Sequence, residues 1–433
     1  MQRRDLKYIF IYLMVLFIDF SYLMYLLFAE FRESIFIFIV FSWIFFLLIQ
    51  ILIFKGAGKY FSIITVFITL YSVSAYIASN WGFIYFDIPK FIIDDVTLKS
   101  LAAIIFSHFI LFIISPMFKN KSLKDSEQLF IKRIKTLSIN KINLMLFLMF
   151  LIGSYFWYRL IFKVGLPNLI GNPRFFASVL LEQAGFYHQI IMIPISIILT
   201  AYLINNKLNF KRKFLFISIL LLAWIPLLLV GARKEIYVYL LAILFFGGIK
   251  KSNKIIMGFF TAIVMLIIPL VREGWSGFEN VILSFQEFIL PQYSHFIFEL
   301  LGEQQKSALL NLSGYEVGAW SLFPGFLRVE EFIPLGLSVF NLGLTNVGIA
   351  AHPIGEAFLN FGTNGYIIFV FIFVFLNIFT IRLAKNNIMA FVICFLYLIL
   401  LGRTDLWVTV FFCLYTYIFI AIFFIKFKYK ETQ

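Results

Sequence analysis

The stretch YIFIYLMVLFIDFSYLMYLLF, residues 8–28, holds a single charged side chain, Asp19. A helix on the surface of a soluble protein carries an apolar stripe and a polar face. This run has no polar face, and its length matches the roughly twenty residues needed to cross about 30 Å of hydrocarbon. Residues 34–54, SIFIFIVFSWIFFLLIQILIF, repeat the pattern without any charge. Working outward, similar runs lie near 60–79, 98–118, 142–162, 186–204, 214–231, 236–249, 255–271, 364–384, 388–402 and 406–425. The chain is therefore expected to be all-α: a polytopic membrane protein of about twelve transmembrane helices. The runs at 236–249 and 388–402 are short, so they tilt little or one of them is re-entrant.

Composition agrees. The chain is 62% hydrophobic and only 13% charged over 433 residues. A soluble domain is nearer half apolar and about a quarter charged, and no soluble core has room for this much apolar surface. The first run is too long for the core of a cleavable signal and no small-residue cleavage site follows it, so it reads as a retained first span. No internal repeat and no soluble domain is visible, and residues 1–433 read as a single integral membrane domain.

The formal charge of +14 does not point to nucleic acid. The bases cluster in short loops between apolar runs: Arg3–Arg4–Lys7, Lys55–Lys59, Lys119 to Lys141, Lys207 with Lys211–Arg212–Lys213, Lys250–Lys251–Lys254, Arg382–Lys385 and Lys426–Lys428–Lys430. The loops between them are neutral or acidic: Glu30–Glu33, Asp87–Asp94–Asp95, and the stretch after Val271. The two sets alternate throughout. Positive-inside then places both termini in the cytoplasm, with Lys124 and Lys211 inside and Ser313 outside.

One outer loop differs from the rest. Residues 272–363 carry nine acids and three bases, Arg272, Lys306 and Arg328, together with aromatic and glycine clusters such as Gly274-Trp275-Ser276-Gly277 and Trp320-Ser321-Leu322-Phe323-Pro324-Gly325. A flexible linker is polar and poor in aromatics. This loop is expected to fold, with Val281 to Leu301 lying in the membrane interface. Long ordered loops of this kind are usually functional.

Two constellations could carry chemistry. The first is a set of cations at the outer ends of spans: Arg233 in Gly231-Ala232-Arg233-Lys234-Glu235, Arg272 after the ninth span, Arg403 in the turn before Asp405, Arg159 and Arg174 around the end of the fifth span, and Arg328 within the loop. Snorkelling to headgroup phosphates explains any one of them. Bases in short outer turns nevertheless run against positive-inside, and arginine grips a phosphate or diphosphate through paired, charge-assisted bonds. The second constellation is His352-Pro353-Ile354-Gly355-Glu356-Ala357-Phe358-Leu359-Asn360-Phe361-Gly362-Thr363-Asn364-Gly365-Tyr366, which runs into the tenth span. If Pro353 opens a helix, Glu356 and Asn360 share a face just past His352. The group fits a general base with substrate holders. It equally fits a capped helix start with a carboxylate near the positive helix end.

Other signals are weaker. His108 and His188 stand alone in apolar contexts, and His295 has no ligand at metal spacing. No zinc motif, Walker loop or Gly-rich nucleotide turn is present, so neither metal nor cofactor is expected. Cys394 and Cys413 lie inside apolar runs and read as packed or lipid-facing thiols.

Together, Gly231-Ala232-Arg233-Lys234-Glu235-Ile236-Tyr237 and the His352–Gly365 stretch resemble the Wzy-type O-antigen and capsule polymerases. The related O-antigen ligases carry a late-loop His ahead of a Gly-x-x-Gly, and His352 before Gly362-Thr363-Asn364-Gly365 is laid out similarly, although Pro353 departs from the ligase pattern. The resemblance implies transfer of a growing glycan from undecaprenyl diphosphate to a sugar hydroxyl of another lipid-linked unit. It implies His352 or Glu356 as base, with Arg233, Arg272, Arg403, Arg328, Arg159 and Asn360 holding diphosphate or sugar. It also implies membrane lipid as the surroundings, a chain-length regulator and a flippase as partners, no metal, and no nucleic acid. A ligase shares the donor and differs in the acceptor. A lipid-linked oligosaccharide flippase is the alternative that is not an enzyme.

Overall fold

The computed structural model describes residues 3–28, 33–80, 87–118, 123, 125–165, 191–229, 233–249, 253–254, 256, 258, 263, 286–320, 333, 335–344, 351–403 and 405–424. Every regular element among the described residues is helical. In chain order these are α1 (Arg3–Phe28), α2 (Glu33–Ile53), α3 (Ala57–Asn80), α4 (Lys90–Ile114), α5 (Ser126–Lys135), α6 (Ile139–Arg159), α7 (Ile193–Asn205), α8 (Phe210–Leu229) and α9 (Arg233–Phe246). There follow α10 (Gln286–Leu300), α11 (Glu303–Ser313), α12 (Tyr315–Trp320), α13 (Leu335–Asn341), α14 (Pro353–Phe361), α15 (Gly365–Asn386), α16 (Ile388–Ile399) and α17 (Leu406–Phe424).

Among the described residues, six helical stretches are long and apolar enough to cross a membrane: Ile9–Phe28, Ile35–Ile53, Ala57–Asn80, Lys90–Phe118, Ile139–Phe162 and Pro353–Asn386. Ile193–Asn205, Ile388–Ile399 and Leu406–Ala421 are apolar but shorter. The run expected near 255–271 falls almost wholly outside the described residues. Exposed side chains show which solvent these helices meet. On α15, Ile367, Phe371 and Phe375 recur every four residues, and Phe371 is 68% exposed. The opposite face of that helix, including Phe369, Val370, Phe373 and Asn377, is buried. On α1 and α2, Phe17, Phe28, Phe38 and Phe45 are likewise bare. A contiguous apolar surface of this kind is stable only against an apolar medium.

The chain forms two compact units. One comprises Met1–Lys124, Gln286–Lys385 and Leu398–Phe411, and the other Asp125–Phe285, Asn386–Tyr397 and Phe412–Gln433. In the first, α3 is the central element. It packs against α2, α4 and α10, while α1 packs on α4. Tyr60, Phe61, Ile64, Ile68, Tyr71, Val73 and Tyr76 are buried, and Lys59, Phe67, Leu70, Ser74 and Ile77 form a partly exposed face. Of the segment from Val281 to Leu301, expected in the membrane interface, the described part forms α10, which packs inside this unit. Residues 291–298 are buried without a break, and the helix packs against α3, α4 and α14. Its polar side chains explain this, because Gln292, Ser294 and His295 each find partners on other segments of this unit.

In the second unit, α6 and α8 meet at Gly153. A Cβ there would lie 3.0 Å from the backbone N of Ala223, so the two backbones approach as closely as a glycine permits. Pro226 sits inside α8 and has no N–H to give to the carbonyl four residues earlier. That carbonyl belongs to Leu222, and the indole Nε1 of Trp157 on α6 donates to it at 2.9 Å. Cys394 and Cys413 are free, buried thiols.

The charge pattern predicts opposite faces for two exposed positions. Ser313 is fully buried and serves poorly as a label, whereas the Glu303 side chain is 94% exposed and Lys211 is exposed. With an impermeant thiol reagent on intact cells, Glu303→Cys should label and Lys211→Cys should not. The reverse pattern would invert the orientation.

Candidate functional site

Pro353 opens α14, and His352 takes the position just ahead of it in extended backbone, φ −99 and ψ 128. The His352 carbonyl accepts the Glu356 N–H at 2.8 Å, closing the first turn. Glu356 and Asn360 therefore stand one turn apart, as the spacing implies. Gly362 ends the helix at φ 58, in the left-handed region that glycine enters without strain. Gly365 then starts α15 with its Cα against the Ala357 carbonyl, where a Cβ has no room. The two glycines of Gly362-Thr363-Asn364-Gly365 thus have separate structural uses.

His352 is fully buried between α3 and α10. Its backbone N–H donates to Ser294 Oγ at 3.1 Å. Its Nε2 lies 2.8 Å from Ser72 Oγ. The Ser72 hydroxyl donates to the Ile68 carbonyl, so it accepts from His352 Nε2–H. Nδ1 is left as a bare lone pair without a partner among the described residues. The His295 ring stacks on His352, with centroids 6.3 Å apart and planes at 12°. His295 Nδ1 faces Ser100 Oγ at 3.4 Å and its Nε2 faces the Tyr366 hydroxyl at 3.2 Å. Gly355 makes this stack possible, because a Cβ there would fall 2.8 Å from His295 Cβ and 3.0 Å from its Cα.

Burial holds both rings neutral. It pulls His352 down to about 3, and it pushes His295 well below the usual histidine range, with His352 and Lys99 adding to the effect. A neutral imidazole with so low an affinity for protons is a poor general base near neutrality.

The Glu356 carboxyl has a different set of neighbours. It too is fully buried. Its Oε2 accepts the Leu406 N–H at 2.7 Å, at the start of α17. Its Oε1 has no partner among the described residues. Asp405, one residue before that helix, accepts the Leu335 N–H through Oδ2 at 2.6 Å. Asn360 is committed at both ends of its amide: Oδ1 accepts the Tyr315 N–H at 2.7 Å, and Nδ2 donates to the Glu356 carbonyl at 2.8 Å. It braces α14 against the start of α12.

The remaining sequence candidates divide. The backbone of Arg403 lies in the 3-10 turn Leu401–Arg403, three residues before the amide that holds Glu356. Its side chain, that of Arg233, and all of Arg272, Arg328 and Arg174 fall outside the described residues. Arg159, in the other unit, is buried, with Nη1 on the Tyr155 hydroxyl at 3.1 Å and the guanidinium over the Tyr155 ring. Among the described residues no three His, Cys, Asp or Glu side chains converge as metal ligands.

His108 is not solitary. Its Nδ1 lies 3.0 Å from Asp19 Oδ2, its Nε2 lies 3.4 Å from Ser62 Oγ, and Ser62 Oγ donates to Gln50 Oε1 at 2.8 Å. All four side chains are buried. This polar chain joins α1, α4, α3 and α2, and only Asp19 marked it in the sequence.

Two outcomes follow from the histidine stack. A histidine that stays neutral when folded but charges when unfolded stabilises the fold above its unfolded value of about 6.5, and the stability falls as pH drops toward the folded value. The melting temperature of the purified chain should therefore decline from about pH 6.5 downward, and His352→Gln should flatten that decline. Gly355→Ala must displace His295 backbone as well as side chain, so it should destabilise the chain by about 1–3 kcal/mol in a denaturation series. No family model, no curated protein and no solved structure matches this chain.

Proposed function

We propose that this chain transfers a glycan from a lipid diphosphate carrier to a hydroxyl of a second lipid-linked oligosaccharide on the outer face of the cell membrane, so that it polymerises repeat units. The observation that carries the reading is the two-sided setting of Glu356. One carboxyl oxygen is held by the Leu406 amide, just after the Arg403–Asp405 turn, while the other is unpartnered among the described residues. An oriented carboxylate with one free oxygen is equipped to take a proton from an incoming hydroxyl.

In this reading the acceptor oxygen attacks the anomeric carbon of the donor sugar, and its proton passes to Glu356 Oε1. The bond between that carbon and the phosphate oxygen breaks, and the diphosphate leaves with the electron pair. Arg403, Arg233, Arg272 and Arg328 are the cations proposed to stabilise the charge that develops there. His352, kept neutral, offers its Nδ1 lone pair to a substrate hydroxyl and serves as an orienting group. The donor is already activated, so the reaction calls for no nucleotide. About twelve spans, with both termini in the cytoplasm, belong to the same proposal.

A second reading has one observation in its favour. The chain Asp19–His108–Ser62–Gln50 places an acid–imidazole pair inside apolar helices. Ionisable groups at such positions often mark transport pathways, which fits a flippase. Deleting the gene separates the readings. Single repeat units on the final anchor mean polymerase. Loss of all surface glycan means flippase. Polymer that never reaches its anchor means ligase.

Point variants test the assignment of roles. Glu356→Gln should slow transfer by about 100- to 10,000-fold, read as glycan ladder length in cells that contain normal amounts of the protein. Arg233→Ala and Arg403→Ala should abolish polymer, and Arg233→Lys should restore it only in part, because a point charge cannot grip two oxygens at once. Normal ladders from Glu356→Gln would remove Glu356 from the chemistry.

A further inference from the structure

Beside Glu356 lies a group of aromatic side chains that the proposed chemistry leaves without a task. Tyr315, at the start of α12, meets Phe361 at a centroid distance of 5.4 Å and an angle of 72°, and meets Trp407 at 5.9 Å and 85°. The three rings contact edge to face and do not close into a stacked sandwich. Phe361 is 42% exposed and leads into the exposed run Gly362–Asn364, so the cluster opens outward. At its inner end it reaches Glu356. The carboxyl there lies close enough to raise the Tyr315 hydroxyl above its usual value, in addition to the effect of burial.

Two buried polar atoms border this cluster. Trp407 Nε1, a donor, and Glu356 Oε1, an acceptor, both lack a partner among the described residues. They are neighbours through the backbone, since Glu356 Oε2 is bonded to the amide of Leu406, the residue just before Trp407. Leaving such buried atoms unpaired in an apolar setting is costly, and a donor and an acceptor that both lack a partner suit a group that is both. A sugar hydroxyl is such a group. The C–H face of a pyranose in turn suits an aromatic wall, which supplies apolar area with little loss of side-chain freedom. The Cδ1–Nε1 edge of the Trp407 ring packs against Gly318, where a Cβ would collide with it.

We propose that Tyr315, Trp407 and Phe361 form a subsite for one pyranose ring of the acceptor, which delivers a ring hydroxyl between Trp407 Nε1–H and Glu356 Oε1. The proposal rests on the glycan-transfer reading and adds to it where the acceptor sugar lies.

The test is binding, measured apart from transfer. The full-length chain in detergent is titrated with the free repeat-unit oligosaccharide released from the host's own glycan, and association is followed by calorimetry. Trp407→Phe, which keeps a ring and loses the N–H, and Tyr315→Ala should each weaken binding about tenfold or more. Gly318→Ala alters no side chain of the cluster yet displaces the Trp407 ring, and it should weaken binding as well. Melting temperatures identify any variant that fails to fold, and Tyr315→Ala, at the partly exposed edge, decides the matter if Trp407→Phe is lost in this way. Unchanged affinity in the folded variants overturns the subsite, as does a wild-type chain that does not bind the oligosaccharide. Should these variants bind normally while Glu356→Gln still loses transfer, the subsite falls and the transfer reading stands. Weakened binding combined with normal polymer from Glu356→Gln upholds a sugar site and removes the transfer reading.

Discussion

A polar side chain surrounded by hydrocarbon must find its partner within the protein, because no water is there to stand in. Around α10 this requirement is met residue by residue. Gln292 Oε1 accepts the Ala75 N–H of α3 at 3.0 Å, and its Nε2 donates to Thr97 on α4 at 2.8 Å. Ser294 accepts from the His352 backbone while donating to the Pro291 carbonyl. A rotation of α10 by one residue would break all of these at once and strand each group in an apolar core. The position of α10 is therefore fixed by pairing more than by hydrophobicity, which is nearly indifferent to rotation where everything nearby is apolar. His352 inherits its place from this arrangement, and α14 follows from His352.

Much of the architecture was legible in the sequence because a membrane helix announces itself by length and apolarity alone. Residues 8–28 and 34–54 needed no tertiary knowledge, and α1 and α2 cover them. The opening of α14 at Pro353 was likewise a local signal, whereas its end at Gly362 was not anticipated. The fate of α10 was not legible. Its apolar composition fits an interface helix and a buried one equally, and the choice depends on hydrogen-bond partners on α3 and α4, about two hundred residues earlier in the chain. Separation along the chain likewise hid the pairing of His352 with Ser72 and His295, and that of His108 with Asp19. Each histidine looks solitary in sequence because spacing reports only neighbours along one helix.

The candidate site also separates two residues that the sequence placed together. His352 and Glu356 are one turn apart, yet they face different surroundings. His352 looks toward a serine and a second imidazole, in a pocket that suppresses protonation. Glu356 looks toward the first amide of another helix. Proximity along a helix would have made either a base. The surroundings leave the first with an unpartnered Nδ1 among the described residues and hold one oxygen of the second against an amide.

Trp157 and Pro226 illustrate a different use of a defect. A proline within a helix leaves one carbonyl without its normal donor, and in isolation that is a weakness. Here the indole of α6 occupies the vacancy at Leu222, next to the close approach at Gly153. Pro226 leaves the Leu222 carbonyl of α8 without its helical donor, and Trp157 of α6 supplies one. The flaw thus acts as an alignment mark. Two smooth apolar helices could slide past each other at little cost, but these two have a register marked in their backbones, and a mutation that replaced Pro226 by a residue with an N–H would erase the address.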